Sequence, residues 1–456
     1  MNTIAAVSTP RAAGGIAVIR ISGTDAVKCA ESVFRPFGGK AVSEMDGYTC
    51  AYGSVYDKSD NKLDDAVLTV FRTPHSYTGE DVCEISCHGG IFVTEKILHA
   101  VYDSGASPAS AGEFTKRAFL NGKLSLTQAE GVMDLISAEG SAAHRCAVTM
   151  RDGKLFKSIS AVSKQLETIL GSCAAWIDYP EEDIEEVNPE NLIPELSTLA
   201  DTLDNILSTY NAGRIIKEGI DTCIAGKPNV GKSTVMNLLS GCERSIVTDI
   251  AGTTRDIVEE SVRLGDIVLR LADTAGIHST DDIVENAGVK RAVDRLNGAE
   301  LVIAVFDGSQ PLDDDDISML DMLSGYSGKI LPVVNKSDKG ITADVDTIKS
   351  KLGDPVVISA RSDDALSVLE TAVKHIFSID KLDLNSAVIS NERQREACSS
   401  ALSSLQNAVE SLKSGYTLDA VTVVLDDALN ALLELTGERA TENVVNQVFS
   451  HFCVGK

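Results

Sequence analysis

The eight residues GKPNVGKS, 226–233, constrain this chain more than any other stretch. They fit the phosphate-loop pattern G-x-x-x-x-G-K-[ST], with an apolar strand-like run TCIA (222–225) before them and a helical TVMNLLS (234–240) after them. In that strand–loop–helix setting the glycines let backbone N–H groups close around phosphate oxygens. The positive end of the following helix faces the same anion. Lys232 would reach the β- and γ-phosphates, and Ser233 would ligate Mg²⁺. Apolar strands alternate with helices from about 216 to 380, the pattern of a mostly parallel sheet wound on both faces.

Three further motifs follow in order, each closing a strand-like run, where sheets of this kind bind ligands. DTAG (273–276) follows IVLRLA and offers Asp273 to the metal shell and Gly276 to the γ-phosphate. NKSD (335–338) follows ILPVV, and the Asp338 carboxylate can accept from the N1 and N2 donors of guanine. Adenine has no such donor pair, so the nucleotide is GTP. SAR (359–361) follows PVVI and resembles the loop whose backbone N–H reads guanine O6. VTDIAGTTRD (247–256) holds the threonine that senses γ-phosphate, with Thr254 as the second Mg²⁺ ligand beside Ser233. The expected nucleotide contacts are Asn229, Val230, Gly231, Lys232, Ser233 and Thr234 in the loop. Thr248, Asp249, Ile250, Ala251, Gly252, Thr253 and Thr254 form the switch, followed by Asp273, Thr274, Ala275 and Gly276. Asn335, Lys336, Asp338, Ser359 and Ala360 hold the base. Directly after DTAG stands Ile277, where Ras-like proteins carry a water-orienting Gln. The acids nearby are Asp281, Asp282 and Glu285.

The net charge of −26 argues against a chain that simply coats nucleic acid, which needs clustered cations. Residues 1–120 nevertheless hold 11 Lys/Arg against 14 Asp/Glu, and acidic runs such as EEDIEE (181–186) and DDDD (313–316) read as solvated loops or helix ends. Ten cysteines include no C-x-x-C pair. Cys83 and Cys87, before His88, alternate as a packed strand would. No apolar run approaches the roughly 18 residues of a membrane span, and the start does not read as a signal peptide. A reduced, cytoplasmic setting is expected. Residues 1–118 read as α+β, 119–215 and 381–456 as helical, and 216–380 as an α/β block inserted into one helical domain.

The chain ends Cys453-Val454-Gly455-Lys456. A prenylation signal would close on another residue type and carry upstream basic residues. This ending, with GEDVCEISCHGG (79–90), GEFTKRAFLNGKLSLTQAE (112–130) and LTGE (435–438), closely resembles the MnmE (TrmE) family of tRNA-modifying GTPases over essentially the full length. The resemblance implies an N-terminal tetrahydrofolate-binding and dimerisation domain, a central helical domain and an inserted Ras-like P-loop G domain. It implies a homodimer acting with the FAD-containing MnmG (GidA), in a heterotetramer or larger complex. Together they place an aminomethyl or carboxymethylaminomethyl group on C5 of the wobble uridine of certain tRNAs. The one-carbon unit comes from a tetrahydrofolate derivative in its 5,10-methylene or 5-formyl form. By motif position Arg20, Glu84, Lys123 and Lys456 would hold the folate, and Cys453 would be the reactive thiol. Read without the family, Arg20 and Glu84 are surface strand charges and Lys123 a solvated lysine.

The resemblance also implies K⁺ in place of an arginine finger, held by Asn229, the carbonyls of Thr248 and Ile250, and Thr253. The family's catalytic acid falls on Glu285. Departures from its pattern are His278 for a usual Arg, STPRAAGG near the start, and ENVV (442–445). Three other readings compete: a ribosome-assembly GTPase, which shares these motifs, a folate-dependent one-carbon transferase with a regulatory G domain, and a non-enzymatic switch or scaffold. No second phosphate loop and no basic GXXG segment favour the first of these.

Overall fold

The computed structural model describes residues 2–178, 187–241, 260–271 and 298–455. The chain divides into two compact units. One comprises Met1–Met133, Met150–Asn191 and Asn407–Lys456, the other Asp134–Thr149 and Leu192–Gln406.

The first unit opens with β1 (Ile4–Val7), β2 (Ile16–Ser22), α1 (Ala26–Val33), β3 (Phe34–Pro36), β4 (Thr49–Tyr56), β5 (Lys62–Phe71), β6 (Val82–His88), α2 (Ile91–Asp103) and β7 (Ser107–Pro108). The seven strands form one sheet in the order β3-β4-β5-β6-β2-β1-β7, antiparallel except for β1 with β7. Side chains alternate between faces along a strand. Ile19, Ile21, Cys83, Ile85 and Cys87 therefore join α1 and α2 in a buried core. Burial raises the Cys83 thiol to about 12 and that of Cys87 to about 11. His88 Nδ1 lies 2.7 Å from Asp64 Oδ1, and no metal-binding cluster occurs among the described residues. The same alternation turns Arg20 and Glu84 to the opposite face, directly across from each other in the β2–β6 register.

Helices follow: α3 (Glu113–Leu120), α4 (Leu126–Ser137), α5 (Ser141–Arg151), α6 (Lys154–Asp178), α7 (Pro189–Leu207) and α8 (Tyr210–Glu218). The second unit contains β8 (Ile220–Ala225), α9 (Lys232–Ser240), β9 (Glu260–Leu264), β10 (Ile267–Leu271), β11 (Leu301–Asp307), α10 (Asp314–Ser324), β12 (Lys329–Asn335), α11 (Val345–Leu352), β13 (Val356–Val357) and α12 (Ala365–Ile376). Its sheet runs β13-β12-β11-β8-β10-β9, parallel throughout except for the β9–β10 hairpin. β11 is buried along its whole length, as a central parallel strand must be.

The chain closes with α13 (Glu392–Lys413), α14 (Leu418–Thr436) and α15 (Glu442–Ser450). α14 packs on α6: Leu155, Ile159, Val162, Leu166 and Ile169 of α6, and Val421, Leu425, Leu429, Leu432 and Leu433 of α14, are buried at helical spacing. Phe449 and Phe452 close a smaller core with Leu126 and Ala129. No described helix is long and apolar enough to cross a membrane.

Candidate functional sites

The phosphate loop leaves the C-terminal end of β8 and enters α9, whose N-cap is Gly231 at φ 103°. A Cβ on Gly231 would lie 2.2 Å from Asn335 Nδ2, so both the backbone angle and the close approach require glycine here. Asn229 also takes positive φ, 66°, which Asn tolerates better than most residues. Lys232 folds back on the loop, with Nζ donating to the carbonyls of Lys227 (2.9 Å) and Gly226 (2.5 Å). Desolvation lowers its pKa, as for a cation taken from water before an anion arrives.

Asn335 ends β12 and is 2% exposed. Its Nδ2 donates to Val230 O (3.1 Å), and its Oδ1 accepts from the Ala360 N–H (2.9 Å). It thus ties phosphate loop to base loop. Lys336, at φ 65°, donates to Asn229 O and to Asp307 Oδ2, both at 2.6 Å. Burial alone would raise the Asp307 pKa, but hydrogen bonds from Lys336 and Ser309 outweigh it and lower it. The hydrogen bond with Ser359 holds the Asp338 carboxyl below the ordinary aspartate range, which keeps it an acceptor. Gly231, Lys232, Asn335, Lys336, Asp338, Ser359 and Ala360 line a pocket of about 530 Å³ together with Pro228, Asn229, Ser233, Thr234, Lys339 and Arg361. That size falls in the ordinary range for small-ligand sites, about 300–1,000 Å³.

The structure therefore brings together the loop residues 229–234, Asn335, Lys336, Asp338, Ser359 and Ala360. The switch residues Thr248 to Thr254, the DTAG residues Asp273 to Gly276, Glu285 and Lys456 lie outside the described residues, as do Ile277, His278, Asp281 and Asp282. Lys339 lines the pocket without having been singled out in the sequence; it directly follows Asp338, the last residue of NKSD, while Arg361 closes the SAR motif. The DDDD run, which reads as a solvated loop or helix end, does open a helix, with Asp313, Asp314 and Asp315 exposed. Asp316 instead is 3% exposed, because Asp313 and Asp316 form a reciprocal capping box at the start of α10 and Lys227 pairs with both. The spacing of two acids three residues apart before an apolar run was the available signal.

A second constellation lies in the first unit. Arg20 Nε donates to Glu84 Oε1 at 2.8 Å, with only 19% and 24% of the two side chains exposed. The rings of Tyr77 and Phe114 lie 5.7 and 5.6 Å from the guanidinium. Gly455 O accepts from Arg20 Nη1 (3.4 Å) and from Ser8 Oγ (2.9 Å). Val454 bridges to Ala111, and the Gly112 N–H donates to Cys453 O (3.3 Å). Cys453 itself is exposed. Gly455 has φ 99°, and a Cβ there would meet Val7 O at 2.2 Å. Lys123 is exposed, its Nζ donating to Pro74 O (3.0 Å) on the loop that carries Tyr77. Arg20 and Glu84 are thus a largely buried cross-strand pair holding the chain's end, not free surface charges.

The family model of the MnmE helical domain matches residues 126–453, and that of the GTP-binding protein TrmE N-terminus matches residues 3–123. The tRNA modification GTPase MnmE of Carboxydothermus hydrogenoformans is 41% identical over 460 residues, covering 100% of this chain and 99% of the relative. That of Lactococcus lactis subsp. cremoris is 41% identical over 457 residues, covering 100% and 98%. Among solved structures, the FeoB G-domain from Methanococcus jannaschii covers 35% of this chain and 97% of its own, at 22% identity and TM-score 0.26. With relatives aligned from end to end, the chain belongs to the tRNA modification GTPase MnmE family, as an enzyme that binds GTP, hydrolyses it to GDP and phosphate, and acts in tRNA modification.

Proposed function

We propose that this chain is a K⁺-dependent GTPase that, with a FAD-containing partner, modifies C5 of the wobble uridine of certain tRNAs using a tetrahydrofolate-borne carbon. The observation that carries the tRNA half of this reading is the Gly455 carbonyl on Arg20, itself paired with Glu84. It sets the exposed Cys453 two residues from the carbonyl that meets Arg20, a candidate folate residue. The rings of Tyr77 and Phe114 around Arg20 suit a ligand with a flat heterocycle and an anionic tail. Arg20, Glu84, Lys123 and Lys456 would hold it, and the folate, when bound, supplies the one-carbon unit. Cys453 would act as the reactive thiol of the tRNA chemistry.

At the other site Lys232 meets the β- and γ-phosphates, and Asp338 reads guanine. Ser233, with Thr254, would hold Mg²⁺; its place at the start of α9 in the pocket supports that role. Asn229, also lining the pocket, would offer its amide oxygen to K⁺ with Thr248, Ile250 and Thr253, a set of hard oxygens fit for an alkali cation. K⁺, when bound, supplies positive charge beside the phosphates. Glu285 would orient the attacking water. The domains run 1–118 (folate), 119–215 (helical), 216–380 (G) and 381–456 (helical), in a cytoplasmic homodimer that joins MnmG.

GTP hydrolysis measured in KCl and in NaCl at equal ionic strength tests the K⁺ role. A transition-state cation is worth about 10³–10⁵ in rate where arginine supplies it, so much slower turnover in NaCl is expected. Equal rates would discard K⁺. Binding of 5-formyltetrahydrofolate to the full chain, weakened in Arg20→Gln, tests the folate site.

A further inference from the structure

Lys227 occupies a position at which the phosphate-loop pattern accepts any residue. Its side chain nevertheless reaches 86 and 89 residues along the chain, with Nζ donating to Asp313 Oδ2 (2.6 Å) and Asp316 Oδ2 (2.7 Å). The two aspartates already satisfy each other's N–H groups. Asp313 Oδ1 accepts from the Asp316 N–H (3.1 Å), and Asp316 Oδ2 from the Asp313 N–H (3.2 Å). The helix start is therefore capped without Lys227. What the cap does not satisfy is charge. Asp316 is 3% exposed, and its Oδ1 is buried with no hydrogen-bond partner among the described residues. A buried carboxylate demands a cation. Burial would lower the Lys227 pKa, yet the hydrogen bonds to Asp313 and Asp316 outweigh it and raise it, so the ammonium stays charged.

The backbone of the same residue faces the nucleotide machinery, since Lys227 O accepts from Lys232 Nζ. We infer that Lys227, clamped by Asp313 and Asp316, is a positioning residue that fixes the entry of the phosphate loop and so pre-sets Lys232 for the nucleotide phosphates. The acidic run at 313–316 then serves GTP binding from outside the recognised motifs. This deepens, and rests on, the reading of 226–233 as the phosphate-binding loop.

A preset loop holds the phosphates alike in the ground state and the transition state. Losing it raises KM and leaves kcat nearly unchanged. Steady-state GTP hydrolysis and binding of a fluorescent N-methylanthraniloyl GDP are measured for the full chain, four single variants at positions 227, 313 and 316, the Lys227→Ala/Asp316→Asn double variant and Lys232→Ala. Lys227→Ala is expected to raise both the KM for GTP and the Kd for the GDP probe about tenfold, with kcat changed less than about twofold. Lys227→Arg keeps the ion pair and restores affinity. Asp316→Asn weakens binding in the wild type but adds little to Lys227→Ala, because paired groups are not additive. Asp313→Ser keeps a good helix cap while removing one anion, so a smaller loss of affinity there separates clamp from cap. The inference is overturned if Lys227→Ala lowers the melting temperature while KM and Kd stay at wild-type values. It is equally overturned if kcat alone falls, or if Lys227→Arg fails to restore affinity. A wild-type chain that binds the probe as tightly as Lys232→Ala does would overturn the phosphate-loop reading itself, a result distinct from these.

Discussion

The nucleotide pocket draws on one short stretch of chain, Pro228 to Thr234, and on the ends of neighbouring strands of one sheet, whereas the tail site collects Ser8, Arg20, Glu84, Gly112 and Gly455 from across the first unit. In the first, the chemistry lies largely in the backbone: positive φ at Asn229 and Gly231, carbonyls that park Lys232, and a helix start. In the second it lies in side chains paired over long separations, and in a glycine that lets the chain's end lie against β1. The difference teaches where each site is fragile. The loop is vulnerable to changes in what it reads, the tail to changes in whether it docks.

The largest effect is expected where the base is read. Asp338→Asn exchanges a carboxylate that would accept from guanine N1 and N2 for an amide that also donates. Affinity for GTP should fall by roughly 10²-fold or more, with a compensating gain for xanthosine triphosphate, whose C2 carbonyl accepts that donor. Competition binding with the two nucleotides checks this. An unchanged preference for GTP would move base recognition elsewhere.

Gly455→Ala comes next. Its Cβ would meet Val7 O at 2.2 Å in a left-handed backbone, a strain of about 1–3 kcal/mol. The tail should leave Arg20, and limited proteolysis should then trim the C-terminus faster. Wild-type protection would separate the tail from β1. GTP hydrolysis offers the contrast, because the described residues lining the pocket around Lys232 all belong to the second unit.

The smallest effect is a shift in pH. Ser359 lowers the Asp338 pKa, so the charge persists above the folded-state value and is lost only as pH falls through it. Ser359→Ala removes that hydrogen bond and should move the acid limb of GTP binding to higher pH, leaving neutral pH unaffected. A titration of Kd against pH that superposes on the wild type would discount Ser359.

The same contrast decides what could be read from the residues beforehand. Strands β8, β10, β12 and β13 were legible, because apolar runs closed by phosphate and base motifs leave few topologies. Arg20 and Glu84 were not legible from pattern alone. A charge in a strand looks solvated until the register sets its opposite number across from it, and only the family resemblance singled them out. Asp316 was misjudged for a related reason. Four consecutive aspartates suggest a solvated loop or helix end, and the run does start a helix, but the third residue of the cap is turned inward, and the cation that meets it lies 89 residues earlier.

The central claim, that one chain couples guanine-nucleotide hydrolysis to wobble-uridine chemistry at its tail, is tested most directly by mass spectrometry of wobble nucleosides. tRNA would come from a strain lacking this protein and from that strain carrying wild type, Lys232→Ala or Cys453→Ser. The account predicts unmodified C5 in the deletion, full restoration by wild type, and none by either variant. Intact modification in the deletion strain, or full restoration by both variants, would contradict it.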